Sequence, residues 1–306
     1  MTIRSILLLV SALNILPSDA ASQLVLGQTP PGDEPELFHP EIFKDGTHSA
    51  PAFTPDGTEM YWSRYYTPQG RRSRTQHIFH SQFSDGQWSA PELASFSGTY
   101  SDGGPFLTKD GIRLFFYSNR PYEPGGEPLD EYGPSDIWYV DKTDDGWGEP
   151  QRLPFNTGQH EGMASVADDG TIFFQSNRSG TRGIFDTYFS ELIEGAYAEP
   201  KNLDPGINCP GINFSPFIAP DQSFLIIAYN HNAPDNGLHI TFKKPDGGWT
   251  RPVNMGEKIN VTSAQRFPGL SPDGKYFFFT RGGAGSGLYW VEAGVIEDLK
   301  RVAFNR

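Results

Sequence analysis

The stretch AQRFPGLSPDGKYFFFTRGGAGSGLYW, residues 264–290, decides the fold because the chain repeats it. It enters the turn Ser271-Pro272-Asp273-Gly274 and runs through Tyr276-Phe277-Phe278-Phe279 to Thr280-Arg281. A Gly-rich loop then leads into a second short aromatic segment. Degraded copies, aligned on the turn Asp, begin at Pro51, Pro105, Ala164 and Pro216 and reach Asp56-Gly57, Asp110-Gly111, Asp169-Gly170 and Asp221-Gln222. Self-similarity at a period of roughly 50 residues is the signature of stacked or radial supersecondary units. Within a copy, Pro presets its own backbone angle and Gly accepts positive φ, so the turn joins two strands as a hairpin. The apolar runs after it, such as Leu114-Phe115-Phe116, Ile172-Phe173-Phe174 and Leu225-Ile226-Ile227, suit strands buried on both faces. Flanking Gly and Pro and the aromatic bias favour strand over helix.

A second motif closes each unit: Trp88-Ser-Ala-Pro91-Glu-Leu93, Trp147-Gly-Glu-Pro150-Gln-Arg-Leu153, Tyr197-Ala-Glu-Pro200-Lys-Asn-Leu203 and Trp249-Thr-Arg-Pro252-Val-Asn-Met255. Pro lacks an N–H and belongs on an edge, so these read as outer strands. The last unit has none after it, whereas Glu34-Pro35-Glu36-Leu37 stands alone near the N-terminus. The expectation is an all-β fold: a single β-propeller of five four-stranded blades over residues 34–306, its last blade completed by residues 35–42. Such closure leaves only short, protected edges.

The Ser-Pro-Asp-Gly turn, the aromatic run, Ser118-Asn119-Arg120 and Ser176-Asn177-Arg178, and the following Ile137-Trp138 together resemble the PD40 or WD40-like repeat of TolB-like β-propeller proteins. The resemblance covers nearly the whole chain from about Glu34 to Trp290 and implies scaffold rather than activity. Relatives with such blades include a periplasmic translocation protein, propeller domains of prolyl-oligopeptidase-like peptidases and oligogalacturonate lyases. No G-x-S-x-G elbow is present, so a serine peptidase is not expected.

Residues 1–20 have the layout of a secretory signal peptide: Arg4, an apolar run over 6–16, and Ser18-Asp19-Ala20 at a cleavage position. The run is too short to span a bilayer. Residues 21–33 read as a flexible segment, and the mature protein is expected in the periplasm or outside the cell. Cys209 is the only cysteine, so disulfides do not hold the fold together. The formal net charge of −13 argues against nucleic acid or an anionic membrane surface as partner. No cofactor or metal is expected: Gly282-Gly-Ala-Gly285-Ser-Gly287 opens no helix, and Asp141-Lys-Thr-Asp144-Asp145-Gly146 falls where other units carry a hairpin turn.

Eight residues before each turn Asp stand His48, Asp102, Glu161, Asn213 and Gln265. Five equivalent positions with five different hydrogen-bonding side chains suit a site on a repeated scaffold, facing the central funnel; they also suit caps on strand ends that solvate the channel mouth. Asp102 and Glu161 are the candidate acid and base should the protein be an enzyme. Amide replacement of either is expected to leave folding intact. His48 and His160 are candidate binding or base residues. Arg64, Arg120, Arg178 and Arg281 end second strands, where they either pin the next loop or meet an anion. Arg266, unique to its copy, is the strongest candidate ligand contact. Two readings follow: a monomeric, non-catalytic binding module that takes a protein or carbohydrate at its looped face, or a small glycoside hydrolase or polysaccharide lyase acting in the funnel.

Overall fold

The computed structural model describes residues 25–43, 46–66, 75–122, 126, 134–204, 206–230, 235–262, 264–283 and 285–305. The expected leader and residues 67–74, which include Arg71, Arg72 and Arg74, lie outside them. Five small antiparallel sheets form the five blades of a β-propeller. From the axis outward, blade 1 comprises Ala52–Phe53, Glu59–Tyr66, Thr75–Ser84 and Glu92–Leu93. Blade 2 comprises Asp102–Leu107, Arg113–Ser118, Asp136–Thr143 and Gln151–Arg152. Blade 3 comprises Glu161–Val166, Ile172–Ser176, Asp186–Ser190 and Lys201–Asn202. Blade 4 comprises Ile212–Ile218, Phe224–Asn230, Gly237–Phe242 and Val253–Asn254. Blade 5 comprises Gln265–Leu270, Tyr276–Arg281 and Gly287–Glu292, completed by Glu36–Leu37.

The borrowed strand pairs Glu36 with Trp290 and Leu37 with Tyr289, and the Phe38 amide donates to the Leu288 carbonyl. It is shorter than the expected 35–42. The residues after it turn inward instead, and Phe38, Ile42 and Phe43 enter the core between blades 5 and 1. Outside the ring, Lys258 bridges Asp33 and Glu34 at 2.9 and 2.6 Å.

The repeated turn has a side-chain explanation. Asp56 Oδ1 accepts from Thr54 Oγ1 and from the Thr58 amide, and Asp110 and Asp273 do the same with Thr108 and Ile112, and with Ser271 and Lys275. These bonds hold the Asp56 carboxyl below its usual range. Gln222, standing where the other turns have Gly, takes the same left-handed backbone at φ 57°.

Core clusters sit between adjacent blades. Leu114 and Phe116 face blade 1 while Phe115 faces blade 3; Phe277 and Phe279 face blade 4 while Tyr276 and Phe278 face blade 1. Period-two alternation inside a continuous apolar run therefore feeds two interfaces at once. Each fully buried Phe stabilises by about 1.5–3 kcal/mol. The C-terminal helix, Gly294–Phe304, buries Ile296 and Ala303 against the blade 4–5 cluster.

Candidate functional site

The inner strands of blades 2 to 5 carry a shared irregularity that shapes the axis. Their register with the second strand slips between Gly103 and Phe106, Gly162 and Ser165, Phe214 and Phe217, and Arg266 and Gly269. At each slip one residue takes left-handed backbone: Gly104, Met163, Ser215 and Phe267, with φ between 48° and 56°. A bulge of this kind bends the strand and re-aims its side chains.

Above the bulges, side chains from all five blades make a closed circuit around the mouth. His48 Nδ1 accepts from the Gln76 amide at 3.1 Å, and Tyr117 Oη donates to Gln76 Oε1. The Tyr117 ring lies 6.5 Å from His160, His160 lies 5.2 Å from Phe185, and Phe185 lies 6.0 Å from Phe214. The Arg266 guanidinium stands 5.0 Å over Phe214, and the neighbouring Phe267 returns to His48 at 4.5 Å. Tyr65, itself exposed, caps His48 at 4.7 Å.

Burial among these rings, together with the nearby Arg266 charge, pushes His48 down to about 3, although part of its surface still meets solvent. Arg266 is itself lowered by burial, with Tyr65 pulling the other way. Its Nε is buried without a hydrogen-bond partner. Among the described residues, no carboxylate pairs with Arg266. The mouth thus presents a neutral imidazole, a phenol and one uncompensated cation, framed by aromatic faces.

The expected ring of strand-entry residues is divided by the fold. Asp102, Glu161 and Asn213 have no accessible surface and Gln265 has almost none. Asp102 accepts from Ser97 Oγ and from Arg120 Nη2, each at 2.9 Å, and burial pushes its carboxyl up against the pull of Arg120. Glu161 accepts from the Thr157 amide and hydroxyl and from Ser176 Oγ, with Arg178 Nη2 at 3.4 Å. Arg120 and Arg178 also reach the carbonyls of Phe96 and Phe155. The Ser-Asn-Arg signature is thereby a tie between one blade and the loop entering it. Asn213 plays the same part with the backbone of Cys209 and Phe185. Gln265 donates to Thr262, while its Oε1 is buried and unpaired.

Of the remaining candidates, Arg64 stacks 4.1 Å over Phe79, away from the mouth circuit. Arg281 donates to the Lys258 carbonyl at 2.5 Å and stacks on Tyr289. It borders a seam cavity of about 500 Å³ between blade 5 and the N-terminal segment, which His48, Arg266 and Phe267 also line. The structure therefore gathers His48, His160 and Arg266 at the mouth, with Arg281 on the seam. Sequence reasoning missed Tyr65, Gln76, Tyr117, Phe185, Phe214 and the bulge residues. The signal for Phe214 and the bulge residues lay one and two positions beyond the aligned ring, at Phe214-Ser215 and Arg266-Phe267.

Fold and mouth together define a five-bladed β-propeller whose opening is framed by aromatic rings and by the Arg266 guanidinium. No family model matches the chain, and no curated protein does. Among solved structures it is similar to TolB from Acinetobacter baumannii, 18% identical with a TM-score of 0.51, over 81% of this chain and 52% of that one. The chain thus spans about half of that protein's length. It also aligns with an α-L-arabinofuranosidase from Lactobacillus brevis, 13% identical with a TM-score of 0.48 over 80% of this chain and 85% of that one. A gluconolactonase from Xanthomonas campestris aligns at 14% identity and 0.45, over 85% and 96%. At these identities the likeness is one of fold. No helix among the described residues is long and apolar enough to cross a membrane.

Proposed function

We propose that the protein is an exported, non-catalytic binding propeller that holds an acidic group of its ligand at the mouth. The observation that carries this is Arg266, a partly buried guanidinium whose Nε has no partner and which no described carboxylate compensates. A buried cation left unpaired costs free energy, and an incoming carboxylate removes that cost while gaining a charge-assisted, planar hydrogen-bond pair. Neutral His48 and Tyr65 add polar contacts without a competing charge, and a concave site with few convergent polar groups suits binding. Asp102 and Glu161 speak for binding rather than turnover, because each is enclosed and committed to an Arg of its own blade.

The test is thermal shift with soluble carboxylates, such as benzoate and hexanoate, beside their primary amides. Carboxylates should raise the melting temperature of the full chain and amides should not, and Arg266→Gln should erase the difference. Equal response to acids and amides would overturn the reading. Product release from neutral oligosaccharides that is lost in Glu161→Gln would put the glycoside-cleaving alternative in its place.

A further inference from the structure

Below the mouth, the inner strands of all five blades enclose a channel cavity of about 350 Å³. Phe53, Phe106, Leu107, Phe217 and Leu270 line it, together with the mutually paired Lys109 and Asp168. Between mouth and channel lies the layer of bulge residues. Blade 2 meets the left-handed backbone there with Gly104, the residue that adopts it without steric cost. Blades 3, 4 and 5 place Met163, Ser215 and Phe267 in the same conformation, at φ 50°, 48° and 52°. Three blades therefore keep a strained side chain where a glycine would fold, which points to a role for those side chains beyond the scaffold. Met163 reaches toward the neighbouring blade 2, since a Cβ on Gly104 would meet its Sδ at 2.9 Å. Phe267 borders both the channel and the seam cavity. Ser215 Oγ is buried without a partner.

We propose that mouth and channel form one amphiphilic site whose ligand is a small monocarboxylic acid with an apolar chain. Its carboxylate pairs with Arg266, and its chain passes Met163 and Phe267 into the channel. This rests on the acid-binding reading of the mouth and adds the ligand's other half. A single acid group fits because, among the described residues, the mouth offers one uncompensated guanidinium, while the formal net charge of −13 repels polyanions. An apolar body fits because the channel wall offers it nonpolar contact over several side chains. The two side chains dividing the compartments, a thioether and a ring, are both suited to lining an acyl or aryl chain.

The experiment is calorimetric titration of the full chain with butyrate, hexanoate and decanoate, and with decan-1-ol, all below their aggregation concentrations. Affinity should tighten by about fourfold per added methylene until the channel is filled. Decan-1-ol should bind at least tenfold more weakly than decanoate, and Arg266→Gln should bring decanoate down to the level of the alcohol. Met163→Gly, which the left-handed backbone accepts, should keep the melting temperature while weakening decanoate about tenfold and sparing butyrate. Butyrate binding as tightly as decanoate would overturn this inference and leave the acid-binding mouth standing. Decanoate and decan-1-ol binding equally, with Arg266→Gln silent, would instead overturn the mouth reading and the acid half of this one. Absence of binding by every probe would overturn both.

Discussion

Asp102 and Arg120 form a buried pair whose two members have different consequences when removed. The carboxylate has no accessible surface and is held by Ser97 and Arg120, so losing the guanidinium strands a charge in the core. Arg120→Met should therefore destabilise by about 3–5 kcal/mol. Asp102→Asn keeps part of the hydrogen bonding and should cost about 1–3 kcal/mol, in place of the tolerance expected for a channel-facing carboxylate. Urea unfolding of both variants and of the double variant checks this, and additive costs would contradict a coupled pair. His48 makes a second prediction at this scale. Its folded value of about 3 lies below the ordinary 6.5, so between the two the unfolded chain binds a proton that the fold refuses. Stability is then complete above pH 6.5 and falls as pH drops toward 3, with a slope of up to ~1.4 kcal/mol per unit. Between pH 7 and 5, His48→Gln should lose up to ~2 kcal/mol less stability than the parent chain. An identical pH profile in the two proteins would place the imidazole in a more solvated setting than its ring contacts describe.

The strands show why blades were readable and the site was not. Asp-Gly turns, apolar runs and Pro-led outer strands are local signals, and each reappears where the repeat put it. The bulge is not local: it appears only when the inner strand pairs out of register with the second, and it changes which side chain meets the axis. Counting back eight residues reached Asp102 and Glu161, on the enclosed side of the strand. One residue further along, Gly103 and Gly162 lie under the Tyr117 ring, and the matching Phe214 and Arg266 enter the mouth. The mouth also draws Gln76 from a third strand and Phe185 from a loop, which no alignment on the turn Asp could assemble. This close approach is testable at Gly103. A Cβ there would sit 2.5 Å from the Tyr117 ring and 2.6 Å from Gln76 Cδ. Gly103→Ala should cost about 1–3 kcal/mol by overpacking. Because the displaced groups are those that hold His48, it should also weaken any acid bound at Arg266. A stable Gly103→Ala protein with unaltered binding would show that the strand can move without disturbing the mouth.

At the scale of the whole molecule, closure decides whether five blades behave as one. The buried residues of each interblade cluster come from neighbouring blades, and an open array of such units would unfold in stages as a one-dimensional chain does. The ring escapes that through the seam between blades 5 and 1, where no hairpin connects the two and Phe38, Ile42 and Phe43 fill the gap. Phe38 alone packs edge-on against Phe278 at 5.0 Å and lies 5.1 Å from Trp290, with no accessible surface. Covalent closure plays no part, since the lone Cys209 is buried in another interface; reductant should leave melting unchanged. The exposed Lys258 pairs with Asp33 and Glu34 contribute little in water. Most of the closing free energy therefore resides in a few aromatic side chains, and truncating one should cost about 3–5 kcal/mol. Phe38→Ala should lower the thermal midpoint while keeping a single transition, because Ile42 and Phe43 still span the seam. Deleting residues 34–43 removes both the outer strand and the filler, and calorimetry should then resolve a broadened or split transition as blades 5 and 1 unfold ahead of the rest. A deletion variant that melts in one sharp step at the parent temperature would show that the seam holds without its N-terminal strand.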